Sequence, residues 1–285
     1  MHIIAWSRVA PWAAPRQVEQ DLIISRAVVD LFNDEFLTEQ LRFRGGTALH
    51  KLHFPRPLRY SEDIDLVRTT EGGIGPILDR MRRVLGWLGE ARYTATGMAP
   101  KLVFRVHAED GGAPLRLKVE INTREREVHD KSIEIGHTVD NPWFAGNASI
   151  PTYSREEILA TKLRALLQRN KGRDLFDLAQ GLAVFNALDI ERIVDVFVRY
   201  LNAAEQAIPR SEAEARMFAK LARLGFVEDI RPLLAPGEAD ALTDEWVRNA
   251  FSAVFSRLIE RLPGERWART EAMAERFGLV LEPGA

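Results

Sequence analysis

Arg59-Tyr60-Ser61-Glu62-Asp63-Ile64-Asp65-Leu66-Val67 decides the reading of this chain. Its second half predicts a strand, ended by the turn residues Glu71-Gly72-Gly73. Successive strand residues point to opposite faces, so Asp63 and Asp65 project together while Ile64 and Leu66 enter the core. Two carboxylates this close repel unless a cation sits between them. Asp is also a poor strand former. A divalent ion would offset both costs, and hard oxygen ligands of this kind suit Mg²⁺. A solvated strand edge carrying two harmless charges is the simpler alternative, and the neighbouring sequence weighs between them.

Upstream, Phe43-Arg44-Gly45-Gly46-Thr47-Ala48-Leu49 predicts a short strand, a glycine turn and a helix start. Glycines let backbone approach phosphates closely, and a helix N-terminus offers free N–H groups. Thr47 adds a hydroxyl. Ser61 lies two residues before Asp63 and shares its face, where its hydroxyl could contact a phosphate. Phosphorylating Ser61 would add about two negative charges beside the carboxylates and is expected to inactivate the site. Downstream, Leu115-Arg116-Leu117-Lys118-Val119-Glu120-Ile121-Asn122 alternates cleanly. Its polar face is either solvated or lines the site, where Glu120 would be a third carboxylate and a natural general base.

Outward from this centre the first half reads as mixed helix and strand. Gln17–Leu41 has helical periodicity, Ile77–Gly89 is helical, and Lys101–His107 forms a hairpin with Leu115–Asn122 through Gly111-Gly112. Ile133–Ile135 reads as a further strand, and Asn141-Pro142 as the start of an irregular stretch running to Pro151. After Ser154 only helical patterns follow, opening with the capping-box pair Ser154 and Glu157. Domains are therefore expected at residues 1–150 and 151–285. His50 and His53 complete no metal set.

The chain has 285 residues, 46% hydrophobic and 28% charged, with a net charge of -2 and no cysteine. Disulfides, thiolate zinc sites and cysteine nucleophiles are excluded. Any surface for nucleic acid must be local. Neither a signal peptide nor a run of roughly 20 apolar residues is found, so a cytoplasmic protein without membrane partners is expected.

Arg155–Arg173 holds six basic residues (Arg155, Lys162, Arg164, Arg169, Lys171, Arg173) against Glu156 and Glu157. That local surplus suits a triphosphate, an RNA backbone, or a solvated helix face. Lys162 and Arg169 share a helical face. Lys162 lies between Leu159 and Leu163, so its ammonium points partly inward and needs an anion. Asp174 and Asp177 open the next helix, where acids suit the helix dipole. Alternatively one of them, with Asp174 preferred, fixes Lys162 or Arg173 or touches the nucleotide.

Phe43–Leu49 followed by Arg59–Leu66 resembles the AbiEii nucleotidyltransferase toxins, a group that includes the mycobacterial MenT toxins. Ala160-Thr161-Lys162-Leu163-Arg164-Ala165, then Arg169 and Arg173-Asp174-Leu175-Phe176-Asp177-Leu178, resembles that family's second block. The resemblance spans roughly residues 40 to 180. It implies an α+β, polymerase-β-like fold: a mixed sheet with flanking helices, then an all-helical half that completes the site. It implies nucleotide transfer from a nucleoside triphosphate, with tRNA 3′ acceptor ends among the family's acceptors, and a cognate antitoxin encoded alongside.

The site expected from these residues is a two-metal in-line displacement. Asp63, Asp65 and Glu120 hold Mg²⁺, and Gly45, Gly46, Thr47 and Ser61 contact the phosphates. Lys162, with Arg59 or Arg169, offsets charge on the leaving pyrophosphate. Asp174 supports the lysine. Two rivals remain: the same chemistry on a small-molecule or protein acceptor, and a nucleotide-binding module without catalysis.

Overall fold

A computed structural model describes residues 2–96, 99–126 and 128–281. The chain divides into two compact units, Met1–Ser154 with Leu233–Ala235, and Arg155–Pro232 with Pro236–Ala285.

The first unit is built on a seven-stranded mixed sheet. Its strands are β1 (Leu41–Arg44), β2 (Asp63–Arg68), β3 (Arg92–Thr96), β4 (Ala99–Val106), β5 (Leu115–Asn122), β6 (Ile133–Asn141) and β7 (Phe144–Thr152). They lie in the order β3-β4-β5-β2-β1-β7-β6. β2 runs antiparallel to β1 and parallel to β5, which puts both at its flanks. The helices of this unit are α1 (His2–Trp6), α2 (Pro15–Phe32), α3 (Glu35–Gln40), α4 (Gly45–Ala48) and α5 (Gly75–Val84).

Alternation decides the core here. Ile64 and Leu66 of β2, with Leu117, Val119 and Ile121 of β5, are buried together with Ile24, Val28 and Leu31 of α2 and Met81 of α5. Each such side chain contributes about 1.5–3 kcal/mol on burial. The even-numbered residues of β5 are left on the opposite, polar face.

Three expectations need correction. The helix expected over Gln17–Leu41 is interrupted at Asn33 and Asp34. Asp34 caps α3, its side chain accepting from Leu37 N at 3.1 Å, and Leu41 already belongs to β1. The helix expected over Ile77–Gly89 ends at Val84, and a 3₁₀ turn covers Gly86–Leu88. The stretch from Asn141 to Pro151, expected to be irregular, is a hairpin. Pro142-Trp143 is the tight turn between paired Asn141 and Phe144, and β7 follows at once. The Asn141 side chain fixes that turn by accepting from Trp143 N at 3.0 Å.

α4 runs directly into a π-helical turn, Leu49–His53. Lys51 on that turn donates to Asp21 Oδ1 and Ser25 Oγ of α2, both at 2.8 Å. The same carboxylate accepts from the Trp6 and Trp12 indoles at 2.9 and 3.3 Å. A buried acid with this many donors is fully used, and it ties the segment after the glycine pair to the longest helix of the unit.

The second unit is helical: α6 (Arg155–Gln168), α7 (Gly172–Val184), α8 (Ile190–Ala203), α9 (Arg210–Leu221), α10 (Pro236–Asp240), α11 (Asp244–Arg257) and α12 (Thr270–Phe277). Phe218 centres an aromatic cluster with Phe251, Phe255, Trp267 and Phe277. Glu157 is fully buried and accepts from the Tyr200 hydroxyl at 2.7 Å. No described helix is long and apolar enough to cross a membrane.

Candidate active site

In the first unit the register places the predicted carboxylates together. Asp63 faces Lys118 and Asp65 faces Glu120 across the parallel β2–β5 pair, while Arg44 faces Asp65 from β1. Directly opposed residues share a face, so Asp63, Asp65 and Glu120 lie on one side of the sheet. The glycine turn closes on the same spot. Gly45 has φ of 81°, and a Cβ there would stand 2.3 Å from Asp65 Oδ2. Only glycine lets α4 begin against this carboxylate.

Thr47 is buried, and its hydroxyl donates to the Asp63 carbonyl. One hydroxyl has one proton, so the Ser61 hydroxyl 2.8 Å away must donate to Thr47 in turn. This pair locks the start of α4 to the entry of β2. Arg59 is buried and donates to the Tyr60 carbonyl at 3.0 Å.

Burial, and then the charge of Asp63, hold the Asp65 carboxyl above the ordinary aspartate range, against the pull of Arg44 and Lys118. Lys118 answers part of that negative charge. Its Nζ lies 2.8 Å from Asp63 Oδ2 and 3.4 Å from Glu120 Oε2. Burial pulls its ammonium down, but the hydrogen bond and charge of Asp63, helped by Glu120 and Asp65, outweigh it and raise it overall. Lys101 also reaches Glu120, at 3.2 Å. Arg44 is held by Glu125 at 2.9 Å.

Among the described residues no group of three or more His, Asp or Glu side chains is placed to hold a metal ion. The donor chemistry still fits Mg²⁺. That ion binds through one or two carboxylates plus substrate phosphates, and Asp63 with Asp65 is such a pair, in a spot that a side chain at Gly45 would fill.

The second unit holds the other predicted residues. Lys162 of α6 pairs with Asp177 of α7 at 2.7 Å and stands 3.9 Å from Asp174. Asp174 is held by Arg169 in a two-pronged contact of 2.7 and 2.8 Å. Both aspartates are fully buried and Lys162 nearly so. The closer partner of Lys162 is thus Asp177, not the preferred Asp174. Lys220 fixes the intervening turn through Arg169 O and Asn170 Oδ1, each at 2.8 Å. The positive surplus expected over Arg155–Arg173 is therefore drawn down within the unit. Lys162 and Arg169 are matched by acids just beyond that window, while Arg155 and Arg164 lie over Phe185 and Tyr200.

Sequence reasoning passed over Lys118, Lys101 and Arg44. Lys118 had a signal, since alternation already put it on the face of Glu120. Lys101 came opposite Glu120 through the register of the expected hairpin, and Arg44 came opposite Asp65 only through strand order.

A family model described as "Nucleotidyl transferase AbiEii toxin, Type IV TA system" matches residues 26–257. Among solved structures, the nucleotidyltransferase toxin MenT4 (Rv2826c) of Mycobacterium tuberculosis H37Rv is similar in fold. It is 18% identical, with a TM-score of 0.62, over 96% of this chain and 93% of that one. JHP933 from Helicobacter pylori is 16% identical, with a TM-score of 0.51, over 93% and 97% of the two chains. No curated protein matches the chain.

Proposed function

The chain belongs to the AbiEii family of nucleotidyl transferase toxins from type IV toxin–antitoxin systems, and on that premise we propose that it transfers nucleotides from a nucleoside triphosphate to the 3′ acceptor end of tRNA, which blocks aminoacylation and growth. The observation that carries the nucleotidyl chemistry is the meeting of Asp63, Asp65 and Glu120 on one sheet face with the glycine helix start closed against Asp65.

Asp63 and Asp65 would hold Mg²⁺, with Glu120 as the third carboxylate. When bound, the ion neutralises charge on the triphosphate oxygens. The backbone at Gly45 and Gly46 receives the phosphates, and the Thr47–Ser61 pair keeps that backbone in place. The acceptor hydroxyl oxygen bonds to the α-phosphorus, the bond to pyrophosphate breaks, and the hydroxyl proton passes to Glu120. Lys118 sits between Asp63 and Glu120 and limits the repulsion among the acids before substrate arrives. We assign to Lys162, positioned by Asp177 and Asp174, the offsetting of charge on the pyrophosphate, with Arg169 and Arg59 in support. A type IV family implies a cognate antitoxin, which we expect from a neighbouring gene.

The acceptor is tested with intact tRNA and tRNA whose 3′ ribose has been oxidised by periodate. Each is incubated with Mg²⁺ and each radiolabelled triphosphate. Label on intact tRNA alone supports transfer to the 3′ end. Label on neither, with label on a small molecule or protein, contradicts it.

A further inference from the structure

The polar sheet face of the first unit continues past the carboxylates onto β4 and β3, and there it turns basic. The register sets Arg92 of β3, Val103 of β4, Lys118 of β5 and Asp63 of β2 in one line across the sheet. Arg105 and Arg116 oppose each other directly in an adjacent position. Lys101 lies on the same face, opposite Glu120. Glu120 is the one acid on this face of β3, β4 and β5 among the described residues.

Arg92, Arg105 and Arg116 are exposed, and none has an acidic partner among the described residues. The Arg105–Arg116 pairing is the informative feature. Like charges directly opposed across strands destabilise a sheet by about the amount an opposite pair would stabilise it. An ordinary solvated face would relieve this with a nearby acid, as Arg16 is relieved by Asp110 at 2.8 Å. A bound polyanion would offset the repulsion that water and salt only screen. At about 4.8 Å between strands, the line from Asp63 to Arg92 covers roughly 14 Å. That matches about four phosphates of one strand at roughly 3.4 Å of axis each.

We propose that this strip of β3, β4 and β5 binds the phosphodiester backbone of the RNA acceptor as it leads to Asp63 and Asp65, with Arg105 and Arg116 as its principal contacts. The inference rests on the RNA reading of the function above. It places the RNA contact outside the Arg155–Arg173 segment, where Lys162 and Arg169 are taken up by buried acids of their own unit. Extended strands hold alternate side chains of one face about 6.6 Å apart, so guanidinium groups here can follow a backbone without a groove.

The test uses the full-length protein and deacylated total tRNA labelled at its 5′ end with a fluorophore. Anisotropy gives the affinity from 50 to 200 mM KCl. In R105E/R116E the affinity is expected to fall at least tenfold at 100 mM. The slope of log affinity against log salt should shrink by about 1.4–1.8, the value for two lost phosphate contacts. The rise in melting temperature with Mg²⁺ and ATP, CTP, GTP or UTP should stay as in the wild type, which shows an intact fold and nucleotide site. R105K/R116K should keep the salt slope. R105Q/R116Q should lose RNA affinity yet melt about 1–2 °C higher, since the opposed charges are gone. If R105E/R116E matches wild type in affinity and slope while wild type binds and labels tRNA, the strip is refuted and the acceptor reading stands. If wild type neither binds nor labels tRNA, both fall together.

Discussion

At the residue scale, close approaches decide the shape of the site. Gly45→Ala puts a methyl carbon into the Asp65 carboxylate at a positive φ. We expect about 2 kcal/mol of lost stability and loss of transfer activity, measured by urea unfolding and label transfer. Ser61 donates to Thr47 on the same face, and Ser61→Glu would bring a charge beside acids that already repel. It should lose activity, and wild-type activity would show that the face tolerates it. His137 of β6 is held down to about 4, first by burial and then by the Lys51 cation, with Asp21 opposing. Its folded value lies below its unfolded value near 6.5, so the unfolded chain binds the extra proton. Its contribution is complete above pH 6.5 and is lost as pH falls towards 4. Over that window wild type should lose about 2–3 kcal/mol relative to His137→Gln, read from denaturation at pH 7 and pH 4.

At the element scale, the carboxylate strand and its neighbour were legible because a clean period of two admits one register with the core. The shared face of Asp63 and Asp65 follows from that alone, whereas Glu120 and Lys118 come beside them only through the pairing of β2 with β5. β7 was not legible. Asn141-Pro142, Gly146 and Pro151 are all strand breakers by composition, yet Asn141 ends β6, Pro142 opens the hairpin turn, and Phe144 covers the space a Cβ at Gly146 would take. The break at Asn33 was hidden because Phe36 and Leu37 continue the apolar spacing of α2 into α3. The anchoring of the π-turn was invisible for a different reason: Asp21 and Lys51 are thirty residues apart. Removing one partner of that buried pair leaves an uncompensated charge, so Asp21→Ala should cost about 3–5 kcal/mol. It should also weaken the thermal shift produced by Mg²⁺ and triphosphate, because the segment after Gly45-Gly46 is no longer held. In the other unit, Asp177→Ala strips Lys162 of its short contact. The cost should fall near the lower end of the same range, since Asp174 stands 3.9 Å away.

At the scale of the whole molecule, an α+β first unit and a helical second unit agree with the family match over residues 26–257. Texture alone revealed the change from mixed elements to helices after Ser154. Distribution of charge was harder to read. Within a basic run in sequence Lys162 and Arg169 proved to be paired with acids of their own unit, while Arg92, Arg105 and Arg116, without acidic partners among the described residues, come from three strands of the sheet. The most direct test of the central claim is label transfer from a radiolabelled triphosphate to tRNA by wild type and Asp63→Ala at equal concentration. Removal of this ligand should cost about 4 kcal/mol or more of transition-state stabilisation. We predict at least a thousandfold slower transfer by an Asp63→Ala protein that melts normally, whereas transfer at the wild-type rate would contradict the assignment of Asp63 and Asp65 as the reacting centre.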